Sequence, residues 1–451
     1  MRHETDPDPV LGLRPVRSGH DLPSAADVVI IGGGIAGVSA AWHLARRGFS
    51  VVICEKGRIG AEQSGRNWGW CRFTLRHPAE IPLMRQSMQD WRDPEVFGSL
   101  DTGFRTTGIA YLTGRNPGDE ALYQSWLKSV EAFGIGSRML SAREIAQKIP
   151  GAAVPPSGAV WTETDGCAEP GRAAPAIALA AQGLGARIMT DCAVRSIETS
   201  AGAVSAVITE KGRIACAAVL LAGGIWSRRF LGNCGIDLPM LSVMGSVGIT
   251  TPLAGAPEVS VAGRRFGWRK RLDGGYVVSQ ADATIFDLTP DSFRLLGDFR
   301  PMIATGLKTL RLRLGWHFVE EARLPRRWNA DEITPFERCR IAAPAPNEKV
   351  LREARQCLSQ AWPVFAATRP AGSWGGYIDV SPDAMPVIGA ASQIPGLFLA
   401  TGLSGHGFGL GPGAGRLAAD LLTGAAPVVD PAAFSPGRFA RFAASRPRAS
   451  A

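Results

Sequence analysis

The feature that most constrains this chain is a strand–turn–helix–strand pattern close to its first residues. "DVVII", residues 27–31, is a short apolar run rich in β-branched residues, which predicts a strand buried on both faces of a parallel sheet. "GGGIAG" follows, then the helical pattern "VSAAWHLARRG", and "SVVICEK" reads as a second buried strand. The pattern predicts a complete β-α-β unit and an α/β fold.

The turn of this unit predicts a dinucleotide site. Gly32, Gly34 and Gly37 form G-x-G-x-x-G, which permits a tight turn and brings backbone amides and a helix N-terminus close to a pyrophosphate. Glu55 ends the second strand, where a carboxylate can accept hydrogen bonds from a ribose diol. The alternative is a β-α turn without a ligand. Since both strands, the helix and the acid are in register, we favour the dinucleotide.

Composition narrows the class of protein. A chain of 451 residues with 45% hydrophobic and 20% charged residues is typical of a globular protein with more than one domain. No run approaches eighteen apolar residues, and the first 24 residues are polar and proline-rich, so we expect no transmembrane segment and a cytoplasmic location.

The net charge of +9 is spread along the chain, which argues against nucleic-acid binding. The eight scattered cysteines form no C-x-x-C pair, so we predict reduced thiols and no metal site.

Two further glycine-rich segments distinguish FAD from NAD. "AAVLLAGGIWS" is an apolar strand that ends in a small-residue turn at Ala222 and Gly223, far along the chain from the first nucleotide strand. "GLSGHGFGLGPGAG" runs into a helix nearer the C-terminus. In an ordinary NAD dehydrogenase further β-α units follow directly. Three distant segments that converge on one long ligand suit FAD better.

With "DGCAEP" and "GGYIDVSPDAMPVIG", these motifs resemble the D-amino-acid oxidase superfamily of FAD-dependent oxidoreductases, in particular its glycine oxidase, sarcosine oxidase and amino-acid dehydrogenase branch. The motifs are in order from Asp27 to Leu422, and the late G-D-A segment typical of flavin aromatic hydroxylases is absent. The resemblance implies an α/β fold with a discontinuous Rossmann-like FAD-binding domain and a mixed-sheet (α+β) substrate domain. The implied segments are residues 25–90, 155–235 and 370–440 for the FAD-binding domain, 91–154 and 236–369 for the substrate domain, and flexible termini at 1–24 and 441–451.

The resemblance also implies a reaction. The expected substrate is an amino acid, an N-alkyl amino acid or a related amine, which delivers a hydride to flavin N5 and becomes an imine that hydrolyses to an oxo product. Oxygen or a quinone-type acceptor would take the electrons. Alternatives remain open: oxidation of a 2-hydroxy acid on the same fold, a flavoprotein subunit that needs a partner, or a flavoenzyme that modifies RNA. A homo-oligomer is also left open.

The cofactor residues follow from the nucleotide pattern and the resemblance. We expect FAD to be held noncovalently, because Arg66 stands where related enzymes can carry a linking histidine and "GSWGGYID" contains no cysteine. The predicted cofactor-binding residues are Gly32, Gly34, Ile35, Ala36, Gly37, Glu55, Lys56, Ser64, Gly65, Arg66, Asn67, Trp68, Gly69, Val194, Ala222, Gly223, Trp226, Gly405, His406, Gly407, Phe408 and Gly409.

Three candidate catalytic residues come from the resemblance. His406 lies in the late glycine loop, which in this family approaches the pyrimidine edge of the flavin. Tyr276 takes the place of a lysine that activates oxygen in some sarcosine oxidases, which puts oxygen reactivity in doubt. Tyr377, beside the family's W-G-G strand, is expected to wall the pocket. For all three, a structural role is the alternative.

Two arginines are the candidate carboxylate anchor. Glycine oxidases place an arginine in the strand after W-G-G, but here Ile378 stands at or next to that position. Either another arginine serves as the anchor, or the substrate lacks an α-carboxylate. The stretch "SGRNWGWCRFTLRH" echoes the G-x-x-R and R-H of sarcosine oxidases, with one extra residue between its arginines. We therefore predict that Arg72 or Arg76 faces the substrate side of the flavin.

Overall fold

Two large β-sheets organise the protein, and the candidate site lies where they meet. The computed structural model describes residues 10–114, 117–280, 284–306 and 311–447. The strands are β1 (Ala25–Ile31), β2 (Val51–Cys54), β3 (Trp70–Cys71), β4 (Arg105–Thr106), β5 (Ile109–Leu112), β6 (Arg138–Ser141), β7 (Gly158–Thr162), β8 (Gly166–Cys167), β9 (Arg187–Met189), β10 (Val194–Ser200), β11 (Ala203–Thr209), β12 (Gly212–Leu221), β13 (Leu241–Thr250), β14 (Ser260–Ala262), β15 (Gly267–Lys270), β16 (Tyr276–Ser279), β17 (Ile285–Asp287), β18 (Arg311–Arg313), β19 (Pro370–Val380), β20 (Val387–Ala390) and β21 (Leu397–Thr401).

The α-helices alternate with these strands. They are α1 (Ile35–Arg46), α2 (Ile81–Arg92), α3 (Pro117–Val130), α4 (Ala142–Lys148), α5 (Pro170–Gly183), α6 (Ser227–Asn233), α7 (Pro290–Arg294), α8 (Arg300–Gly306), α9 (Trp316–Arg323), α10 (Pro335–Arg338), α11 (Glu348–Ala361), α12 (Gly407–Thr423) and α13 (Ala440–Ala443). Across the described ranges, no helix has both the length and the apolar character needed to cross a membrane.

The first sheet is the predicted Rossmann-like unit. Its core is parallel, with the strand order β21-β12-β1-β2-β9, and the antiparallel strands β20, β10 and β11 extend it. Ile31 is in register with both Leu221 and Cys54, so the carboxyl ends of β12, β1 and β2 lie side by side. The residues that follow these three ends therefore share one edge of the sheet, where ligands bind in open α/β sheets.

Helices α1, α5, α12 and α2 pack as a layer beside the first sheet. The contact between α1 and α12 is close because glycines of α12 face the first helix: a Cβ at Gly415 would lie 2.5 Å from the backbone nitrogen of Ala40. This packing fixes the N-terminus of α12 relative to that of α1. The first turns of both helices line the same cavity.

The second sheet has ten strands and mixed pairing, as predicted for the substrate domain. Its order is β18-β17-β13-β16-β15-β14-β5-β7-β6, with β19 paired to β13. The β14–β5 and β17–β18 pairs are parallel and the other pairs are antiparallel. A small third sheet, β3-β8-β4, ties the segment after β2 to this domain.

Two strands differ from the predicted domain segments. β7 lies within the predicted FAD-binding segment 155–235 but pairs with β5 and β6 in the ten-stranded sheet. β19, within the predicted segment 370–440, pairs along its whole length with β13. Strand pairing, a long-range interaction, therefore moves both strands into the substrate domain.

Parts of the two predicted flexible termini pack against the rest of the protein. Leu11 and Leu13 are buried and pack with Trp374, and the amide of Arg14 donates to the carbonyl of Gly171 at 2.9 Å. At the other end, Phe442 in α13 is buried. These apolar side chains complete cores formed elsewhere in the chain. Residues 1–9 and 448–451 lie outside the described ranges.

Candidate active site

A cavity of about 380 Å³ extends from the edge of the first sheet to the face of the second. Its lining comes from the β1–α1 turn, the end of β2, the segment 58–72, the end of β12, and parts of β13, β19 and α12. The predicted residues that line it are Gly32, Gly34, Ile35, Ala36, Glu55, Lys56, Ser64, Arg66, Asn67, Trp68, Arg72, Arg76, Val194, Ala222, Gly223, Trp226, Tyr377, Gly405, Gly407 and Phe408.

The β1–α1 turn forms one end of this cavity. Gly32 has a φ of 110°, and a Cβ there would lie 2.5 Å from the carbonyl oxygen of Ala222, so this position tolerates only glycine. Gly34 is the N-cap of α1 and supplies no side-chain cap. The amide of Ile35 donates to Ser64 Oγ at 2.8 Å. The first turn of α1 thus presents backbone N–H groups and a positive helix end to the cavity.

Glu55 is held in a fixed orientation at the same end. Its Oε2 accepts from the amide of Gly33 at 2.7 Å and its Oε1 from the amide of Gly57 at 2.7 Å. Burial raises the pKa of this carboxyl, and the two amide bonds and nearby Lys56 oppose that shift. Each oxygen keeps a lone pair, so the carboxylate can still accept from a diol.

These features fit an FAD molecule. The positive end of α1, which faces the cavity, suits a pyrophosphate, and Glu55 suits the adenosine ribose. The small-residue turn at Ala222 and Gly223 lies beside the cavity, and Gly376, Gly405 and Gly407 line its far half, where backbone can approach a planar ring. If bound, FAD would supply the hydride acceptor between the two sheets.

Arg66 supports this region through backbone contacts. The residue is buried, and its Nε donates to the carbonyl of Ala61 at 2.9 Å while Nη1 donates to that of Gly375 at 3.3 Å. The carbonyl of Arg66 in turn accepts from Trp374 Nε1 at 2.9 Å. These bonds join the cofactor segment to β19, so Arg66 has a structural role beside its predicted contact with the cofactor.

Arg72 and Arg76 lie together in the substrate half of the cavity. Arg72 donates to the carbonyl of Thr74. Arg76 is only 2% exposed. Its Nε donates to the carbonyl of Arg72 at 3.2 Å, and its Nη2 donates to the carbonyl of His406 at 3.3 Å. Nη1 of Arg76 is buried without a hydrogen-bond partner. Burial and the neighbouring charge of Arg72 lower the pKa of Arg76 to about 10, so the Arg76 guanidinium stays charged at neutral pH.

Asp165 fixes the turn that carries these arginines. Its carboxylate is fully buried and accepts from the amide of Phe73 at 2.6 Å and from Thr74 Oγ1 at 2.6 Å. Burial raises its pKa to about 6, against the opposing effect of these hydrogen bonds. Asp165 opens the "DGCAEP" motif, which links that motif to the geometry of the site.

Aromatic rings wall the same half of the cavity. Trp68, Trp70 and Tyr111 all line it. The rings of Trp68 and Trp70 meet edge to face at 4.7 Å, and the Arg72 guanidinium lies 5.4 Å from the centroid of the Tyr111 ring. Tyr111 was missed by sequence reasoning. Its only sequence signal is a tyrosine in the apolar strand "IAYL", and the pairing of β5 with β7 and β14 decides where that strand lies.

Tyr377 and Ile378 complete the wall. Both line the cavity, and burial raises the pKa of Tyr377 to about 12, so it stays neutral. The Tyr377 ring stacks on His317 of α9 at 5.4 Å. Asp379 is 2% exposed and accepts from the amide of Gly402 at 2.8 Å, so it braces the late glycine loop.

Tyr276 is not part of the site. Its side chain is fully buried in the core of the second domain, edge to face with Phe365 at 4.9 Å, and its hydroxyl donates to the carbonyl of Pro257 at 3.0 Å. The prediction is wrong because the side chain projects from β16 into the core beneath α11, away from the cavity.

His406 also lies outside the lining of the cavity. Its Nδ1 is 3.0 Å from Oε1 of Glu80, which is fully buried. Burial, together with nearby Arg76, lowers the pKa of His406 to about 4, so its neutral ring donates to the Glu80 carboxylate. The carbonyl of His406 accepts from Arg76 Nη2, so His406 supports the position of this arginine.

Four predicted glycines serve packing instead of lining the cavity. A Cβ at Gly37 would lie 2.2 Å from the carbonyl oxygen of Gly32, and one at Gly65 would lie 2.4 Å from that of Gly60. A Cβ at Gly69 would lie 2.5 Å from the carbonyl oxygen of Ala168, and a Cβ at Gly409 would lie 3.1 Å from the carbonyl oxygen of Trp70. In each case close approach of two backbone segments explains the glycine.

Residues 27–421 match the DAO family, described as FAD dependent oxidoreductase. The chain belongs to this family. The expected superfamily is thereby confirmed, and the protein is an FAD-dependent enzyme of the class that contains amino-acid oxidases and dehydrogenases.

Curated relatives are more distant in sequence. The chain is 24% identical to glycine oxidase from Pseudomonas putida, over 91% of this chain and 98% of the relative. It is also 24% identical to 4-methylaminobutanoate oxidase (formaldehyde-forming) from Paenarthrobacter nicotinovorans, over 93% of this chain. The match spans 46% of that relative, so this chain covers about half the length of the longer oxidase.

Two solved structures are more similar. L-Amino acid deaminase from Proteus myxofaciens, in complex with anthranilate, superposes with a TM-score of 0.91 at 35% identity, covering 95% of this chain and 96% of that one. The L-amino acid deaminase from Proteus vulgaris has a TM-score of 0.90 at 31% identity, covering 94% and 100%. Our fold assignment agrees with both.

The partly buried His406 predicts a pH-dependent stability. Its pKa of about 4 in the folded protein is below the ordinary value of 6.5, so the unfolded chain binds more protons between these values and stability falls as the pH drops through this window. From pH 7 to 5 the wild type should lose about 1–2 kcal/mol more unfolding free energy than His406→Gln. Urea unfolding at both pH values measures this, and equal losses would contradict it.

Proposed function

We propose that this protein oxidises the C–N bond of an α-amino acid with a bulky apolar side chain. FAD in the cavity would accept a hydride from the substrate α-carbon at flavin N5. The substrate nitrogen loses a proton, and the resulting imine is hydrolysed by water to a 2-oxo acid and ammonia. The relatives named above, which include a glycine oxidase and two L-amino acid deaminases, support this class of reaction.

The observation that carries the proposal is the pair Arg72 and Arg76. Two guanidinium groups share a largely apolar cavity, and in the described part of the chain neither forms a salt bridge with a carboxylate. Glu80 and Asp165 lie close enough to act on these charges, but Nη1 of Arg76 is buried and finds no hydrogen-bond partner within the described ranges, which is costly for a charged group. An α-carboxylate would accept from this donor and would take the place of the anchor that is absent at Ile378.

The aromatic walls support a bulky substrate side chain. Trp68, Trp70 and Tyr377 present ring surface at the substrate half, and Val247 and Leu403 add aliphatic surface. Apolar walls of this kind stabilise a large hydrophobic side chain through burial and ring contacts. The Proteus myxofaciens deaminase is described in complex with anthranilate, a carboxylate on an aromatic ring that carries an amine.

The lining contains no strong base for the substrate nitrogen. Among the described residues of the cavity there is no histidine, and the acidic ones are Glu55, Glu62 and Asp379. Glu55 and Glu62 belong to the nucleotide half, and Asp379 is engaged with the glycine loop. The substrate therefore has to react as the neutral amine, with the arginines orienting its α-carbon.

We further propose that FAD is held noncovalently. Arg66 occupies the position of a linking histidine, and no cysteine lies in β19. Acid precipitation of the purified holoprotein should release all of the flavin into the supernatant, where its absorbance is measured. Yellow colour that stays with the pellet would contradict this.

An anaerobic substrate panel tests the reaction. L- and D-forms of phenylalanine, leucine, alanine and glycine, with N-methyl and 2-hydroxy analogues, are mixed with the holoprotein, and bleaching of the oxidised flavin band is followed. We expect faster bleaching by amino acids with large apolar side chains than by glycine. Bleaching by 2-hydroxy acids alone would overturn the proposal, and recolouring on admission of air reports whether oxygen accepts the electrons.

The double variant Arg72→Ala/Arg76→Ala tests the carboxylate anchor. Charge-assisted hydrogen bonds contribute about 1.5–3 kcal/mol each, so KM should rise roughly tenfold to a hundredfold. The flavin content should stay at that of the wild type. Arg213→Ala, at an exposed ion pair with Glu198, is the matched control and should leave KM unchanged. Unchanged kinetics in the double variant would exclude these arginines as the anchor.

A further inference from the structure

A segment of the substrate domain lies across the nucleotide half of the cavity. We name residues 334–342, which comprise the N-cap Thr334, α10 and the four residues after it, the retention strap. In sequence the retention strap lies between β18 and α11, far from any nucleotide motif. Its contacts are nevertheless with the first domain, at the end of β2 and along β10 and β11.

Lys56 and Glu62 form the central fastening of the retention strap. Lys56 Nζ donates to the carbonyls of Cys339 at 2.9 Å and Arg340 at 2.8 Å, and to Glu62 Oε1 at 2.6 Å. The same Glu62 oxygen accepts from the amide of Ala342 at 2.8 Å. All three protons of the Lys56 ammonium are therefore engaged by the strap and by Glu62.

Two arginine–glutamate pairs fasten the strap on either side. Arg195 of β10 donates to Glu337 through Nε at 3.0 Å and Nη2 at 2.8 Å. Arg340 pairs with both carboxylate oxygens of Glu210, with Nη2 to Oε2 at 2.5 Å, and also donates to the carbonyl of Lys56 at 3.0 Å. Bidentate pairs of this geometry are among the stronger polar contacts in proteins.

Between these fastenings the strap presents a ring to the cavity. Phe336 lines the cavity together with Val194 and Trp226, and its ring meets that of Trp226 edge to face at 5.9 Å. The approach of the strap is close, since a Cβ at Gly57 would lie 2.5 Å from the carbonyl oxygen of Arg340. A ligand seated at Glu55 is thus covered by a segment from the other domain.

We propose that the retention strap controls release of the cofactor, and that Lys56 acts as a positioning residue that holds the strap and not as a direct cofactor ligand. The inference rests on the proposed noncovalent FAD and is independent of the proposed substrate. Release of FAD requires Phe336 to move, and Phe336 moves only when the three fastenings open. Loosening any fastening should therefore accelerate release.

Arg340→Gln is the decisive variant because Arg340 does not line the cavity. FAD release is followed as the rise of free-flavin fluorescence after large dilution of the holoprotein. Losing a charge-assisted bidentate pair should accelerate release roughly tenfold to a hundredfold.

Glu210→Gln should accelerate release by a similar factor. The double variant should release FAD little faster than either single variant, because both substitutions break the same pair. Arg213→Gln, which removes an exposed pair with Glu198 across β10 and β12 on either side of β11, should release FAD at the wild-type rate.

The outcomes distinguish control of FAD release by the retention strap from direct contact between Lys56 and FAD. Release at the wild-type rate from Arg340→Gln and Glu210→Gln would overturn the proposal, and faster release from Lys56→Met alone would then assign Lys56 to the cofactor itself. Melting temperatures measured on the same samples identify a variant that has lost its fold. If Arg340→Gln or Glu210→Gln is such a variant, the FAD release rate of the other one tests the proposal. Flavin that stays with the denatured wild type would instead refute the noncovalent cofactor and the strap with it.

Discussion

The parallel pairing of β12, β1 and β2 is the constraint on which the rest of the site depends. It places Ala222, Gly32 and Glu55 one residue beyond three adjacent strand ends. The amide of Gly32 donates to the carbonyl of Cys54 at 2.9 Å, and that of Ala222 donates to the carbonyl of Ile31 at 2.9 Å, so the ladder continues into the turn. With so little space between Gly32 and Ala222, a side chain at the turn would separate the strands and displace the N-terminus of α1.

The substrate half of the site depends on the two guanidinium groups of Arg72 and Arg76 in a largely apolar cavity. Arg76 is buried beside Arg72, and Glu80 and His406 fix its position from behind. His406 is neutral and adds no charge to the cluster. Nη1 of Arg76 has no hydrogen-bond partner among the described residues and stays available to an anionic group. The long distance in sequence between these residues shows that the anchor is assembled by α12 and the segment after β3 together.

Sequence patterns predicted local features and their ligands well. The β-α-β unit, the glycine turn, the acid after β2 and the late glycine loop all lie at one cavity, because each is specified by residues adjacent in sequence. The same reasoning failed at Tyr276 and His406, whose side-chain directions depend on strand register and on a buried partner. It missed Tyr111, since nothing within "IAYL" indicates that β5 borders the cavity.

By itself, the sequence determined the fold family, the FAD requirement and the candidate arginines, because spacing and residue type encode these within short segments. Only the tertiary structure decided which domain β7 and β19 join, and which predicted glycines serve packing. It alone showed that Lys56 engages the retention strap. The physical reason is that pairing between strands and contacts between domains join residues hundreds of positions apart, and no local pattern records them.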